Sequence, residues 1–247
     1  MVRADTRERE NGLLDCIVES YIRESRPISS SYLCEKYRLP YSSATVRNVM
    51  ERLEEKGLLS HVHVSSGRVP TQRAFKQYVD KLKEEERDYT PELPVEIDRA
   101  GACDLGLDES FHVTLDMLAE ASGYTSLIAY TGQSEKFIFR GTRYILEQPE
   151  FEDLARLRNV LYALEVKMQE LHRMLFQYVN ERVAFVIGDD IGFEEIADCS
   201  LVISGTRGHN LSFALAILGP MRMDYIKAAS CVYSVNTQVR KMIEEML

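Results

Sequence analysis

No apolar run in this 247-residue sequence approaches the roughly 18 residues that a membrane-spanning helix requires, which excludes a helical transmembrane protein. The opening stretch, MVRADTRERENG, is charged and has no apolar h-region, so a secretory signal is not expected there. Cysteine is scarce. Cys16, Cys34, Cys103, Cys199 and Cys231 are odd in number, widely spaced and never arranged as C-x-x-C, which argues against a disulfide framework or a zinc site. Four of the five lie in apolar periodic segments, where a small buried hydrophobe is the expected role. The expected compartment is the cytoplasm.

The signatures of catalysis are missing as well. There is no G-x-x-x-x-G-K-[ST], no G-x-G-x-x-G and no H-E-x-x-H. The stretch Ser204-Gly205-Thr206-Arg207-Gly208-His209-Asn210 gathers hydroxyls, glycines and a histidine, but no G-x-S-x-G elbow accompanies it, and it reads as a polar hairpin turn. His61 and His63 alternate on one strand face without further ligands. Asp189, Asp190, Glu194 and Glu195 do not have the spacing of a calcium loop. Enzymatic activity, a metal and a cofactor are therefore not expected.

What is present is an ordinary globular composition, 45% apolar and 28% charged, in a chain long enough for one large or two modest domains. The charge is unevenly placed. Residues 1–83 hold 15 basic against 11 acidic side chains, whereas residues 84–247 hold 15 against 28. A mildly basic head on an acidic body suits a polyanion-binding module attached to a part with another task.

Within residues 1–83 the pattern predicts a helix from Thr6 to Glu24, with Leu13, Ile17, Tyr21 and Leu14, Val18, Ile22 as its apolar stripe. Arg26-Pro27 ends it, and the serines of Ile28-Ser29-Ser30-Ser31 cap a short helix through Tyr37. After the Leu39-Pro40-Tyr41 turn, Ser42 or Ser43 caps a third helix, Ala44 to Lys56, with Val46, Val49, Met50 and Leu53 inward and Gly57 closing it. A strand from Leu58 to Val64, a Ser65-Ser66-Gly67 turn and the returning Arg68-Val69-Pro70 form a hairpin, and Thr71 caps a helix through Leu82. This order is that of a winged helix-turn-helix. The outward face of the third helix offers Thr45, Arg47 and Asn48 to base edges, while Ser42, Ser43, Arg52, Ser65, Ser66, Gly67 and Arg68 are placed for the phosphate backbone and its flank. Double-stranded DNA is the expected partner.

Residues 84–109, with a charge run followed by Pro91, Pro94, Gly101 and Gly106, read as a linker. The pattern then predicts a helix from Ser110 to Ser122 and strands from Tyr124 to Tyr130 and from Lys136 to Leu146. A long helix from Glu150 to about Tyr178 is followed by strands at Val183–Gly188, Leu201–Thr206 and Leu211–Leu218 and a final helix to Leu247. The sheet is expected to be antiparallel or mixed and covered on one face. In the long helix, Leu154, Leu157, Leu161, Leu164, Met168, Leu171 and Leu175 have coiled-coil spacing, while Val160 and Met174 widen the stripe toward core packing. Both a subunit contact and a core role stay open.

The segments Ser65-Ser66-Gly67-Arg68-Val69-Pro70-Thr71 with Tyr78-Val79-Asp80, and Ser43-Ala44-Thr45-Val46-Arg47-Asn48 with Leu53-Glu54-Glu55-Lys56-Gly57-Leu58-Leu59, closely resemble the HrcA family of heat-inducible transcription repressors. Gln148-Pro149-Glu150-Phe151, Asp198-Cys199-Ser200-Leu201-Val202 and Gly219-Pro220-Met221-Arg222-Met223-Asp224-Tyr225 resemble motifs of its C-terminal part. The resemblance implies an α+β chain: an N-terminal winged helix-turn-helix (1–83), a linker (84–109) and a GAF-like α/β domain (110–247). It also implies a cytoplasmic homodimeric repressor of class I heat-shock operons that binds an inverted repeat and is kept active by the chaperonin GroEL. Family members are typically longer. Here only Thr131-Gly132-Gln133-Ser134-Glu135 joins two strands where the inserted dimerisation domain is expected, so the GAF-like domain reads as abbreviated and any homodimer as weak. The competing function is a ligand- or partner-sensing module whose winged helix contacts protein; Arg47→Ala and Arg68→Ala would leave such a function intact.

Overall fold

The computed structural model describes residues 2–61, 67–84, 106–132, 134–179, 182–208 and 210–246. The chain divides into two compact units, Met1–Arg87 and Asp88–Leu247.

The first unit contains α1 (Val2–Glu24), α2 (Ser30–Tyr37), α3 (Ser43–Glu55), β1 (Leu59–Ser60), β2 (Val69–Pro70) and α4 (Gln72–Glu84). Its core is the meeting of one stripe from each helix: Leu14, Ile17 and Val18 from α1, Leu33 from α2, Val46, Val49, Met50 and Leu53 from α3, and Phe75 and Val79 from α4. The helices stop for local reasons. Arg38 takes the left-handed conformation after α2 (φ 48°). After α3 the Gly57 N–H returns to the Glu54 carbonyl at 2.8 Å and the Leu58 N–H to that of Leu53 at 2.9 Å, satisfying carbonyls the helix leaves open. β1 and β2 pair antiparallel, Leu59 opposite Pro70. The expected longer strand and the Ser65-Ser66 turn fall on residues 62–66, outside the described ones. A third extended segment, not expected from the pattern, joins the pair: Ile28 exchanges two backbone hydrogen bonds with Arg68, at 2.9 and 2.8 Å.

The second unit is built on a five-stranded antiparallel sheet in the order β4-β3-β7-β6-β5. Its strands are β3 (Thr125–Thr131), β4 (Glu135–Arg140), β5 (Ala184–Ile187), β6 (Cys199–Thr206) and β7 (Ser212–Pro220). The helices are α5 (Leu107–Ser122), α6 (Arg143–Leu146), α7 (Leu154–Val166), α8 (Met168–Leu175) and α9 (Tyr225–Met246). Leu127, Ala129, Leu201, Ile203, Ala214 and Ala216 point to one face, where Val160, Ala163 and Leu164 of α7 and Leu171 and Leu175 of α8 complete a core. The other face meets α5 and α9: the Phe111 and Tyr130 rings lie 4.7 Å apart, and the Ser126 hydroxyl donates to the Leu115 carbonyl at 2.6 Å.

Three expectations are corrected here. The sheet is covered on both faces, because β3 is buried at every position from Thr125 to Tyr130 and β6 from Cys199 to Ser204; only an alternating strand leaves one side to water. The strand expected over Lys136–Leu146 stops at Arg140, where Gly141 turns the chain at φ 75° into the single turn of α6. The long helix is interrupted at Lys167 (φ −97°, ψ 29°), whose ammonium pairs with Glu195 at 2.5 Å. A continuous coiled-coil seam is thereby ruled out: Leu164, Leu171 and Leu175 are buried in the core while Leu154 and Met168 face outward. Among the described residues no helix is long and apolar enough to cross a membrane.

Candidate nucleic-acid interface

α3 is fixed from both ends and from beneath. Of the two serines offered as its cap, Ser42 performs the role: its hydroxyl accepts the Thr45 N–H at 3.2 Å and contacts the Thr45 hydroxyl at 3.0 Å, while Ser43 is the first helical residue. The positive end of the helix dipole opens to solvent at exposed residues 42–45, with the Thr45 N–H taken by the Ser42 cap. Val46, Val49, Met50 and Leu53 are buried, which orients the opposite face outward.

On that face Arg47 and Asn48 are exposed and, among the described residues, their side chains make no hydrogen bond or ion pair. Both are types that reach base edges bidentately. Glu51 and Glu55 are exposed farther along α3, so the end open to a polyanion is the N-terminal one.

Two other expected contacts, Arg52 and Arg68, are engaged with the protein itself. Arg52 donates through Nε to Glu10 at 2.8 Å, and Lys56 holds the second oxygen of the same carboxylate. Glu10 is only 5% exposed. The hydrogen bond from Lys56, joined by that from Arg52, holds its carboxyl below the usual carboxylate range against the opposing effect of burial. Arg68 likewise donates through Nε to Glu54 at 2.8 Å, and the other oxygen of Glu54 meets His61 Nδ1 at 2.5 Å. Gly67 lies where a Cβ would fall 2.4 Å from the Ile28 carbonyl group, so the glycine permits the Ile28–Arg68 pairing. Ser65 and Ser66 lie outside the described residues. The structure thus brings Ser42, Ser43, Thr45, Arg47, Asn48 and Arg52 onto one helix and ties Arg68 to its far end through Glu54.

Sequence reasoning missed Glu10, Glu54 and Lys56 as the groups that hold this surface. It also missed Arg9, whose guanidinium lies 4.9 Å from the centre of the Tyr41 ring beside a cleft of about 270 Å³ between α1 and the start of α3. No local signal marks a carboxylate 42 residues from its partner.

In the second unit the motif residues are turned inward. Arg222, 8% exposed, donates to Glu150 at 2.5 and 3.0 Å and to Gln148 at 2.9 Å. Ser200 and Tyr225 share a hydrogen bond of 2.9 Å, and the Met221 N–H donates to the Asp198 carbonyl at 3.1 Å. Ser204 and Thr206, from the stretch read as a hairpin turn, lie in β6 and bond Asn236 of α9 at 2.8 and 3.1 Å. Cys199 and Cys231 are buried, and burial pushes both thiols up, while Cys16 and Cys34 are half-buried.

The family model described as HrcA protein C terminal domain matches residues 108–228. The heat-inducible transcription repressor HrcA of Symbiobacterium thermophilum is 26% identical over 335 residues, covering 95% of this chain and 98% of that protein. The repressor of the same name from Carboxydothermus hydrogenoformans is 24% identical, covering 96% and 98%. A crystal structure titled as that of a hypothetical protein at 2.2 Å resolution superposes with a TM-score of 0.80 at 18% identity, covering 97% of this chain and 99% of that one, a likeness of fold. The first alignment, at 335 residues, is longer than the 247-residue chain although it spans both proteins almost completely, so the relative carries interior residues that this chain omits. With the family model matched over residues 108–228 and its full length aligned, this chain is similar to the HrcA repressors from end to end.

Proposed function

We propose that residues 1–83 are a winged helix-turn-helix domain and that the chain represses transcription of heat-shock operons by occupying an inverted-repeat operator. The observation that carries this is the Arg47–Asn48 pair, without a partner among the described residues, on the outward face of a helix capped by Ser42 and packed through Val46, Val49, Met50 and Leu53. In this reading Thr45, Arg47 and Asn48 read bases, Ser42 and Ser43 hold phosphate, and Arg52 and Arg68 keep α3 and the wing in register while presenting their outer edges to the backbone. Residues 110–247 form a shortened GAF-like domain without the inserted dimerisation domain, joined by the 84–109 linker. The antiparallel order β4-β3-β7-β6-β5 and the short β3–β4 connection support that assignment. Similarity to proteins named heat-inducible transcription repressor supports a chain that regulates rather than catalyses, and action in the cytoplasm under control of the chaperonin GroEL is part of the same proposal.

Gel-shift titration against a cognate inverted repeat tests the proposal. Affinity should fall by about 10³ to 10⁵ between roughly 50 mM and 200 mM salt if about 6 to 10 phosphates are contacted. Binding that ignores salt, or no preference for the repeat over scrambled DNA, overturns it.

A further inference from the structure

α7 carries apolar side chains on two opposite sides. Val160, Ala163 and Leu164 are buried in the core of the second unit. On the outer side Leu154 is 77% exposed, Tyr162 47% and Val166 59%, and with Arg158 they follow one another at four-residue steps along a single stripe. An apolar stripe on the side of a helix turned away from its own core is open to a second burial partner, and clustered exposed apolar residues mark contact surfaces. The clustering is specific: among the described residues, Val113 alone of the exposed large hydrophobics in this unit lies outside positions 146–168.

The charges on the same face identify the partner. Arg158 and Glu165 are both exposed, and neither has an ion-pair or hydrogen-bond partner among the described residues. We propose that this face of α7 is where two copies of the chain meet, their helices antiparallel about a two-fold axis at the level of Val160. That symmetry sets Leu154 of one copy against Val166 of the other and Arg158 against Tyr162. At a rise of about 1.5 Å per residue, Glu165 of the second copy then lies one turn along from Arg158. The stripe is self-complementary, meeting apolar with apolar and acid with base in both directions. One helix per copy makes a small interface, which suits a weak, concentration-dependent dimer.

The inference deepens the reading of the chain as a two-headed repressor by naming its contact. Its test uses mass in solution without DNA, so it stands or falls separately from operator binding. Sedimentation velocity of the full chain over a concentration series should show monomer–dimer exchange. Leu154→Asp and Tyr162→Asp should each raise the dissociation constant by about tenfold or more, with circular dichroism and thermal unfolding unchanged because both side chains are exposed. Arg158→Glu should weaken the dimer and Arg158→Glu with Glu165→Arg should restore it. A wild-type chain that stays monomeric throughout, as it would if another segment of the same chain covered the stripe, overturns the proposal. A dimer indifferent to all of these changes overturns it equally.

Discussion

In the first unit the polar side chains behind the functional proposal, Arg47 and Asn48, stand in solvent without partners among the described residues, whereas in the second Arg222, Glu150 and Ser200 are bonded to one another or to neighbouring elements. The first unit holds two ion pairs at the edge of α3, each joining that helix to a neighbouring element: Glu10 to Arg52, Glu54 to Arg68. The second buries its polar groups between layers. An unpartnered polar group on a packed helix is available to an outside ligand. A buried and satisfied one restricts which arrangement of the core is allowed. On the proposed function the two units divide between recognition and scaffold, and the charge follows, with the acidic excess confined to residues 84–247.

Arg222→Ala tests that division most severely. Removing the buried guanidinium strands Glu150 and Gln148, and the second unit should lose about 3 kcal/mol of stability. Hydrogen exchange resolved by segment should show β6 and β7 opening sooner while α3 keeps its protection. Equal loss of protection in α3 would show that the two units do not respond separately.

Arg47→Ala should weaken operator binding by about 2 kcal/mol, roughly thirtyfold, with no change in the melting of the first unit. Arg52→Ala should behave differently, lowering both stability and affinity, since its guanidinium holds Glu10. Identical effects of the two substitutions would erase the distinction between a reading and a holding arginine.

Glu10 links the first unit to pH. Because its carboxyl is held below the ordinary range in the folded chain, the pair contributes fully at neutral pH, and that contribution is lost as pH falls below the usual carboxylate range through the folded value. Glu10→Gln should cost about 1.5 kcal/mol at neutral pH and flatten the acid limb of the stability curve. An unchanged acid limb in denaturant titrations would remove Glu10 as its source.

The smallest effect is expected at the cap. Ser42→Ala should destabilise α3 by about 1 kcal/mol, and Ser42→Asp should recover most of it in thermal melts. Equal stability of all three forms would show that packing alone sets where α3 begins.

Much of this organisation was legible in the residues. The helix boundaries around Ser42 and Gly57, the outward set Thr45, Arg47 and Asn48, and the inward set Val46, Val49, Met50 and Leu53 all follow from signals within one or two turns. Legibility ended where two elements compete for one residue. The heptad from Leu154 to Leu175 reads as one helix because nothing near Lys167 signals a break; the break accompanies an ion pair with Glu195, 28 positions along the chain. The one-faced sheet was wrong for a related reason: Ser126, Ser200 and Ser204 are polar, yet each is buried against a hydrogen-bond partner on a neighbouring helix that no local pattern announces.

What the residues determined by themselves is therefore local: where helices begin and end, which side faces inward, and how charge is divided between the ends of the chain. Capping, periodicity and charge act over a few residues and leave a pattern in order of sequence. The tertiary structure alone decided that Glu10 anchors Arg52, that Glu54 holds Arg68 beside β2, that Ile28 pairs with Arg68, and that α7 keeps one apolar face uncovered. Those outcomes depend on which surfaces meet across tens of residues, and such meetings are selected by shape and burial rather than by any spacing along the chain.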